Sequence, residues 1–550
     1  MHFRTVTGIY LRVLLLSGVS SLLLAAPSAA GIAMPPNRPV TIRIDTTKNV
    51  HAINPQVYGV AFAATSDLIA LNAPLNRMGG NNMTDYNWAL NAENLDADWY
   101  FESYPQQSAV PGEQADTFVS DSKAGNALPM LTVPLIGWVA NLGANRAILP
   151  SFSVSKYGAQ CATDPYFPDA GDGIETDCST DITGNDPHDA YVKDNPNREQ
   201  KWIRHLIQTW GKSDNGGVPY YLMDNEASIW FSTHRDVHPV GPHAIEYRDK
   251  VIAESAKIKA ADPHALVVAP EEWGWDGYFY SGFDQQYAAE HGWSKFPDRR
   301  KEEHGMNYIP WLLAEWKAAG HPVDVLSVHF YPQGGEYSDD VSTQMQLLRN
   351  RSTRQLWDPN YVSESWIDAP VFLIPRLKNW ISKEYYSGTP VAVTEYNWGA
   401  EAYINGATTQ ADIYGIFGRE GLDMATRWTV PDSSTPTYKA MQMYRNYDGA
   451  DSAFGDTSIS TDVPNPDNLS AFAALRSTDG AMTVMVINKV LKKTTPVALK
   501  LTNFAASGSA EVYRLTSSNV IQNLPNISWA NGVLSDQEPP QSITLYVLPD

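Results

Sequence analysis

Basic residues, cysteines and long apolar runs are all scarce in this 550-residue sequence. Forty Lys and Arg stand against 61 Asp and Glu, which gives a formal net charge of −21. A chain this acidic repels phosphate groups, so we expect neither nucleic acid nor an anionic membrane surface as a partner. Beyond the first 30 residues, no apolar run is long enough to span a bilayer. These shortages favour a soluble protein that acts on a neutral substrate.

The long apolar run at the N-terminus is typical of an export signal. Arg4 and Arg12 precede the apolar residues 13–24, and the small residues Ser28 and Ala30 follow them. A basic head, a short apolar centre and small residues at the end predict a secretory signal peptide over residues 1–30. We therefore expect a secreted, extracellular chain that is free of the membrane after cleavage and acts as a monomer.

The two cysteines, Cys161 and Cys178, enclose a loop rich in Gly, Pro and Asp. In an exported chain they predict a disulfide between Cys161 and Cys178, with two separate buried thiols as the alternative. Hard oxygen ligands on such a loop could hold a structural Ca²⁺, although they lack the spacing of an EF-hand and a solvated loop is the alternative. The carboxylates concerned are Asp164, Asp169, Asp172 and Asp177.

No cofactor is expected for the chemistry described below, and the metal content stays open. His234, His238 and His243 lie close together in sequence and invite a zinc interpretation. Nothing in the predicted chemistry requires zinc.

Short apolar strands alternate with amphipathic helical stretches over residues 57–447, a pattern typical of parallel α/β folds. Helical signals at 197–210, 245–261 and 307–320 precede the fourth, fifth and sixth strands. The sequence therefore predicts the α/β class and a TIM-like (β/α)8 barrel. The eight expected strands are 57–63, 75–80, 130–138, 220–226, 266–273, 323–331, 389–396 and 423–430.

After Tyr447 the pattern changes to alternating apolar and polar segments separated by Gly, Asn, Ser and Pro. This alternation predicts an all-β sandwich over residues 448–550. The segment 40–47 alternates in the same way, so residues 31–56 are predicted to add one or more strands to the sandwich. The sequence has neither a repeat of fixed period nor a long low-complexity linker, and we expect the two domains to pack together.

Polar residues collect where the predicted barrel strands end, which is the rim at which barrel enzymes place their active sites. Glu226 ends the fourth strand and Glu395 ends the seventh. These strands face each other across a closed barrel, so the two carboxylates are expected to meet over one bond. One strand-end Glu is more often a salt-bridge partner. The pair, with Asn225 before one and aromatic residues beside both, favours hydrolysis of a glycosidic bond.

Long blocks of the chain carry a family resemblance: RMGGNNMTDYNW (77–88), EEWGWDGYFYSGFDQQY (271–287) and TEYNWGAEAYINGATTQADI (394–413). They resemble glycoside hydrolase family 44, a family of retaining endo-β-1,4-glucanases and xyloglucanases. The resemblance covers nearly all of the chain after residue 30. It implies a TIM-like barrel beside a β-sandwich, with Glu226 as the acid/base and Glu395 as the nucleophile.

One departure from the family pattern is visible at the acid. The family usually has Asn-Glu-Pro there, and this chain has Asn225-Glu226-Ala227. Alanine lacks the ring that makes the turn rigid, so the placement of the acid could be looser.

Other residues of the predicted rim are candidates for holding a sugar chain. Aromatic rings can stack on sugars, with core packing as the alternative for each of them. Polar side chains can bind hydroxyl groups, orient the nucleophile or brace it. Glu271 and Glu272 could do the same or form a structural salt bridge, and Trp275 is a further candidate for sugar stacking. The substrate-binding candidates are Asn225, Arg77, Asn81, Trp88, Trp273, His329, Tyr331, Trp366, Tyr396 and Trp398.

The sequence thus predicts a secreted, retaining, endo-acting hydrolase of β-1,4-glucan backbones such as cellulose derivatives and xyloglucan. Double displacement by two Glu requires carboxyl groups about 5 Å apart. Three alternatives stay open. An inverting or exo-acting glycosidase would use the same pair, and a xylanase or mannanase would differ in cleft shape. A non-catalytic carbohydrate-binding protein would keep the aromatic residues without needing the paired Glu.

Overall fold

The computed structural model describes residues 37–550, and the predicted signal peptide over residues 1–30 lies outside them. The described residues form one compact unit in which a barrel packs against a β-sandwich. Across this part of the chain, no helix combines the length and the apolar character that crossing a membrane requires.

Twenty-three strands occur in the described residues. In chain order they are β1 (Val40–Asp45), β2 (His51–Ala52), β3 (Gly59–Ala61), β4 (Leu75–Met78), β5 (Ala92–Asn94), β6 (Glu102–Pro105), β7 (Leu128–Val133), β8 (Trp138–Ala140), β9 (Leu149–Pro150), β10 (Tyr191–Lys193), β11 (Tyr220–Met223), β12 (Leu266–Glu272), β13 (Val325–Phe330), β14 (Val391–Tyr396), β15 (Met424–Arg427), β16 (Thr457–Asp462), β17 (Leu469–Leu475), β18 (Met482–Asn488), β19 (Thr495–Thr502), β20 (Gly508–Leu515), β21 (Gln522–Trp529), β22 (Val533–Glu538) and β23 (Ser542–Leu548).

Fifteen α-helices occur in the same residues. They are α1 (Thr65–Leu71), α2 (Asn81–Thr84), α3 (Glu113–Ala124), α4 (Val154–Tyr157), α5 (Pro196–Trp210), α6 (Trp230–Thr233), α7 (Ala244–Ala261), α8 (Trp275–Phe279), α9 (Gly282–His291), α10 (Pro297–Lys301), α11 (Tyr308–Ala318), α12 (Thr343–Ser352), α13 (Leu373–Glu384), α14 (Ile404–Glu420) and α15 (Pro436–Arg445). Helix α5 shows why such segments fold: Asn195 caps its first turn, Pro196 begins it, and Trp202, Ile203 and Leu206 form its buried side.

The barrel is closed by eight parallel strands in the order β3, β4, β7, β11, β12, β13, β14 and β15. Strands buried on both sides read as continuous apolar runs, which is why the sequence revealed them. The predicted fold class is confirmed. The third strand is shorter than expected because Pro134, which has no backbone donor, follows its last residue, Val133. The first strand begins only at Gly59, since residues 55–58 form a 3-10 turn.

A layered insertion lies between the second and fourth barrel strands. Strands β5, β6 and β9 form a small sheet, and β8 pairs with β10. The loop between Cys161 and Cys178 belongs to this insertion, and the two sulfur atoms are bonded. The insertion therefore adds structure beside the ends of the second, third and fourth strands.

The sandwich joins both ends of the described chain. Its strand order is β21, β20, β23, β18, β17, β16, β1, β19 and β22, with β2 also paired to β16. Strand β1 runs antiparallel to β16 and parallel to β19, so the N-terminal segment completes the sheet. Alternate side chains such as Ile42, Val484 and Leu499 fill its core.

Helix α14 connects the barrel to the sandwich. Nearly all of its residues are buried, because one side faces the barrel and the other faces β17 and β18. Gly415 leaves no room for a side chain beside the ring of Phe472. A buried ion pair, 2.6 Å between Lys489 Nζ and Asp412 Oδ2, fixes the same contact.

Candidate active site

The fourth and seventh barrel strands deliver two carboxylates to the rim. Glu395 is the second-last residue of β14, and Glu226 comes three residues after the end of β11. Glu226 has a left-handed backbone, with φ 47°, and its amide donates to the carbonyl of Glu271 at 3.0 Å. The carboxylate of Asp224 accepts from the Ile136 amide at 3.1 Å and from the Thr84 hydroxyl at 2.6 Å. The turn before Ala227 is therefore held by Asp224.

The two carboxylates meet at one nitrogen of a single imidazole. His329 Nδ1 lies 2.8 Å from Oε1 of Glu226 and 3.6 Å from Oε2 of Glu395. One oxygen of each Glu and a ring nitrogen of His329 all lie within 4.8 Å of one another. His329 is fully buried, so it contacts the two carboxylates from below the rim.

Glu395 is held at both of its oxygens. Arg77 Nη1 donates to Oε1 at 2.7 Å, and the Tyr331 hydroxyl donates to Oε2 at 2.7 Å. Arg77 is fully buried at the end of β4. A carboxylate with these two donors keeps a fixed orientation.

A third carboxylate, Glu271, braces this group from below. Its Oε2 accepts from Arg77 Nη2 at 3.1 Å and lies 3.2 Å from His329 Nε2, and its Oε1 accepts from Thr394 Oγ1 at 2.9 Å. Its neighbour Glu272 points elsewhere and accepts from the Ser228 hydroxyl. Of the two expectations for these Glu residues, the salt bridge applies to Glu271, and Glu272 makes a hydrogen bond instead.

Burial and charge set the protonation of the group. For His329, burial disfavours the charged ring, but the nearby carboxylates outweigh it and raise the pKa to about 10. For Glu271, the hydrogen bond from His329 and the charge of Arg77 outweigh burial and lower the pKa. For Glu226, burial, together with the charge of Glu395, raises the pKa against the opposing effect of His329. The site thus holds one carboxyl group that favours its proton beside an imidazolium.

The amide of Asn225 lies between the charged group and the insertion. Its Oδ1 accepts from Arg77 Nη2 at 3.2 Å, and its Nδ2 donates to Asn81 Oδ1 at 3.2 Å. Asn81 in turn donates to Asp98 at 3.2 Å. Arg77 therefore braces Glu395 rather than facing the rim, while Asn225 and Asn81 form an ordered amide pair at its edge.

The aromatic candidates divide by exposure. Trp366 is 53% exposed, and its Nε1 donates to Gln333. Tyr396 and Trp398 are buried, which corrects the expectation that they contact sugar. The Tyr396 hydroxyl accepts from Gln410 inside the barrel wall, and Trp398 donates to the Ser352 hydroxyl.

Trp88 and Trp273 are half-buried. Trp88 stacks against His205 at 5.9 Å between ring centroids, and Trp273 donates to Gln285. Trp275 packs on Phe279. Each of these contacts occupies part of the ring that would otherwise be free to stack on a sugar.

Three aromatic residues near the rim were not anticipated. Trp428 follows β15, and the Arg77 guanidinium lies 5.7 Å from the centre of its ring. Phe62 follows β3, is 37% exposed and packs edge-on against Trp428. Tyr337 is 44% exposed beside Tyr331. The sequence feature that could have identified them is their position just after barrel strands or near the end of β13.

Three clusters in the described residues bring His and carboxylate atoms within 4.8 Å of one another. One is the group of Glu226, His329 and Glu395. Another, around His243, is half exposed. A third joins Asp85, Asp96 and His234. His234 and His243 thus lie in different clusters, and His238 lies in neither.

The four loop carboxylates proposed for Ca²⁺ are absent from these clusters of the described chain, and each accepts hydrogen bonds from nearby amides or hydroxyls. These four carboxylates are Asp164, Asp169, Asp172 and Asp177.

Two solved structures are similar to this chain over almost its whole length. One, described as CelM2, a bifunctional glucanase-xylanase protein from a metagenome library, is 58% identical; the alignment covers 93% of this chain and 99% of that one, with a TM-score of 0.92. The other, a family 44 xyloglucanase from Paenibacillus polymyxa, is 26% identical; the alignment covers 94% of this chain and 100% of that one, with a TM-score of 0.78.

Curated sequences and a family model agree with the structures. Endoglucanase A of Paenibacillus lautus is 28% identical over 489 residues, which is 82% of this chain. The chain spans 36% and 64% of the lengths of the two curated relatives that it matches. The model of glycoside hydrolase family 44 matches residues 92–334. Together with the 58% identity above, these findings place the sequence: the chain belongs to glycoside hydrolase family 44.

Proposed function

We propose that this chain is a secreted, retaining, endo-acting glycoside hydrolase that cleaves β-1,4-glucan backbones. The observation that carries the proposal is the pairing of Glu226 and Glu395, whose carboxylate oxygens lie within 4.8 Å at the ends of the fourth and seventh strands. Retaining enzymes hold their carboxyl groups about 5 Å apart, whereas inverting enzymes need room for a water molecule between them. The short separation supports retention.

In the first step, Glu395 attacks the anomeric carbon and forms a glycosyl ester. The bond to the leaving oxygen breaks, and Glu226 gives that oxygen its proton. Arg77 and Tyr331 occupy one lone pair on each Glu395 oxygen, which orients the attack. His329 donates to Oε1 of Glu226, so the transferable proton belongs on Oε2.

In the second step, Glu226 acts as a base. It takes a proton from water, the resulting hydroxide attacks the anomeric carbon, and the ester to Glu395 breaks. Glu226 regains its proton and Glu395 its charge, so the cycle closes. Two inversions at one carbon give net retention. Glu395 loses its negative charge in the first step and regains it in the second. Because that charge raises the pKa of Glu226, the acid strength of Glu226 changes between the two steps.

The exposed aromatic residues support a long, neutral substrate. Trp428 lies beside Arg77, and Phe62 packs against Trp428. Trp366 donates to Gln333, which in turn donates to the Tyr331 carbonyl. Stacking positions near Arg77 and near Tyr331, the two residues that hold Glu395, suit several sugar units of one chain.

The names of the relatives support β-glucans as the substrate class. They include an endoglucanase, a xyloglucanase and a bifunctional glucanase-xylanase. Because the last of these is 58% identical, xylan is the second candidate substrate.

Hydrolysis of carboxymethyl-cellulose, xyloglucan and xylan, with product lengths recorded, tests the proposal. The test variants are Glu226→Gln and Glu395→Gln. The matched control is Glu315→Gln, because Glu315 is a surface residue paired with Arg248. We expect a fast fall in chain length with wild type and control, and losses of about 100-fold or more in each catalytic variant. Near wild-type turnover by Glu395→Gln would exclude it as the nucleophile. Short products from the first minutes would indicate exo-action instead.

A further inference from the structure

A second group of buried titratable side chains lies below the rim, outside the catalytic pair. It consists of Asp85, after α2, Asp96, in the insertion, and His234, after α6, and all three are fully buried. His234 Nε2 lies 3.3 Å from Oδ2 of Asp96 and 3.6 Å from Oδ2 of Asp85. One atom of each residue thus faces a common point.

The carboxylate oxygens of this cluster outnumber the hydrogen-bond donors around them. Oδ1 of Asp85 and Oδ2 of Asp96 have no hydrogen-bond donor among residues 37–550. The Tyr191 hydroxyl lies 3.4 Å from both carboxylates and has one proton to give. Asp236, also buried, adds a third carboxylate.

The hydrogen bonds of His234 leave its Nε2 directed at acceptors. Its Nδ1 lies 2.8 Å from Oγ1 of Thr233, and that hydroxyl donates to the Ile229 carbonyl at 3.1 Å. The Thr233 oxygen therefore accepts from Nδ1–H. On the other side of the ring, Nε2 faces the two carboxylates and the carbonyl of Asn81 at 3.2 Å. With Nδ1 protonated, Nε2 can face these three oxygens only if it carries a second proton or shares a metal cation with them.

We propose that Asp85, Asp96 and His234 bind a zinc ion, with Nε2 of His234 and one oxygen of each carboxylate as ligands. Zinc accepts imidazole and carboxylate together, whereas calcium and magnesium prefer an all-oxygen set. A histidine ligand whose other nitrogen donates to a fixed oxygen is the usual arrangement at such sites, because it sets the tautomer. The Thr233 hydroxyl supplies that oxygen.

The proposed ion would join three parts of the chain next to the catalytic group. The Asn81 carbonyl beside the cluster belongs to α2, whose Thr84 donates to Asp224 in the turn before Glu226. Asn81 also accepts from Asn225. The role that follows is structural: the ion fixes α2, the insertion and α6 against each other.

Metal analysis of the full-length secreted protein tests the site. Wild type, the double variant Asp85→Asn/Asp96→Asn and the control Glu254→Gln are stripped with dipicolinate and titrated with Zn²⁺. Glu254 is a matched control because it is a fully buried carboxylate in α7, outside the cluster, with no donor to either oxygen in the described chain. Bound zinc is measured by elemental mass spectrometry and the Tm by calorimetry.

We expect about one zinc per chain in wild type and control, and a Tm higher by about 2 °C at 100-fold over Kd. The double variant should bind about a tenth as much and show no shift. Co²⁺ in the stripped wild type should give the visible bands of a bound ion with nitrogen and oxygen ligands, which tests the proposal even if the double variant fails to fold. Equal zinc binding by the double variant, no binding by wild type, or binding of Ca²⁺ alone would each overturn it.

Discussion

Replacing Arg77 by methionine removes the one guanidinium that contacts both Glu395 and Glu271. The hydrogen bonds lost are 2.7 Å to Glu395 and 3.1 Å to Glu271, and the side chains of Arg77 and Glu271 are fully buried. Removing one partner of a buried ion pair costs about 3–5 kcal/mol, because the remaining charge has no compensation. For a chain of this length, unfolding entropy is about 1 kcal/mol per kelvin, so we expect the Tm to fall by about 3–5 °C.

The double variant Arg77→Met/Glu271→Gln shows whether the reasoning holds. If the cost comes from the uncompensated Glu271 charge, removing that charge should restore about 1–3 kcal/mol of the free energy of unfolding relative to Arg77→Met. Calorimetry of the wild type, both single variants and the double variant completes the cycle. Two outcomes would refute the account. One is a fall in Tm of less than about 1 °C for Arg77→Met. The other is a double variant whose loss in the free energy of unfolding equals or exceeds the sum of the two single losses.

Further expectations concern the acid, its proton and the aromatic rim. Glu226→Ala with azide and an activated aryl cellobioside should give a glycosyl azide of retained configuration, seen by NMR; an inverted azide would assign Glu226 the wrong role. Because burial raises the pKa of Glu226, kcat/KM on polymer should stay high above the usual carboxyl pKa range and fall at alkaline pH as Glu226 loses its proton. With an aryl glycoside whose leaving group needs no protonation, this alkaline fall should vanish. An alkaline fall that remains with the aryl glycoside would assign the titration to another group. Trp366→Ala should raise KM for xyloglucan about 5–20-fold and leave kcat/KM on the aryl cellobioside unchanged, since the exposed ring is worth about 1–2 kcal/mol of stacking; equal losses on both substrates would contradict a remote subsite.

The barrel was accessible from the sequence because its strands are buried on both sides and appear as apolar runs in order. The sandwich was less so. Strand β21 is exposed along most of its length, with no clear alternation, and it was not anticipated. Strand β22 does alternate, but its more buried positions include Asp536 and Glu538, so the apolar pattern is lost. A strand that buries few side chains leaves little pattern to detect.

Within the site, strand alternation separates the correct expectations from the wrong ones. Successive residues of a strand point to opposite sides. In β14, Glu395 faces the barrel axis, so Tyr396 must face the helices, where its ring packs on Phe417. The same rule puts His329 and Tyr331 on the side of Glu395, and Phe330 between them on the other. Applying it to the sequence would have removed Tyr396 from the candidates.

The bracing network could not have been read from the sequence. Arg77 and Glu271 are 194 positions apart, and their contact depends on which side each strand end presents. The left-handed backbone at Glu271 turns its side chain toward Arg77, while Glu272 turns toward Ser228. Neither orientation follows from a motif, because both residues are Glu in one apolar strand.

Trapping the covalent intermediate tests the central claim most directly. The protein would be incubated with an activated 2-deoxy-2-fluoro-cellobioside, which slows the second step, and then analysed by intact mass and peptide mapping. The account predicts one added fluoro-cellobiosyl group per chain, as an ester on Glu395. A label on any other residue, or no label together with products of inverted configuration, would contradict it.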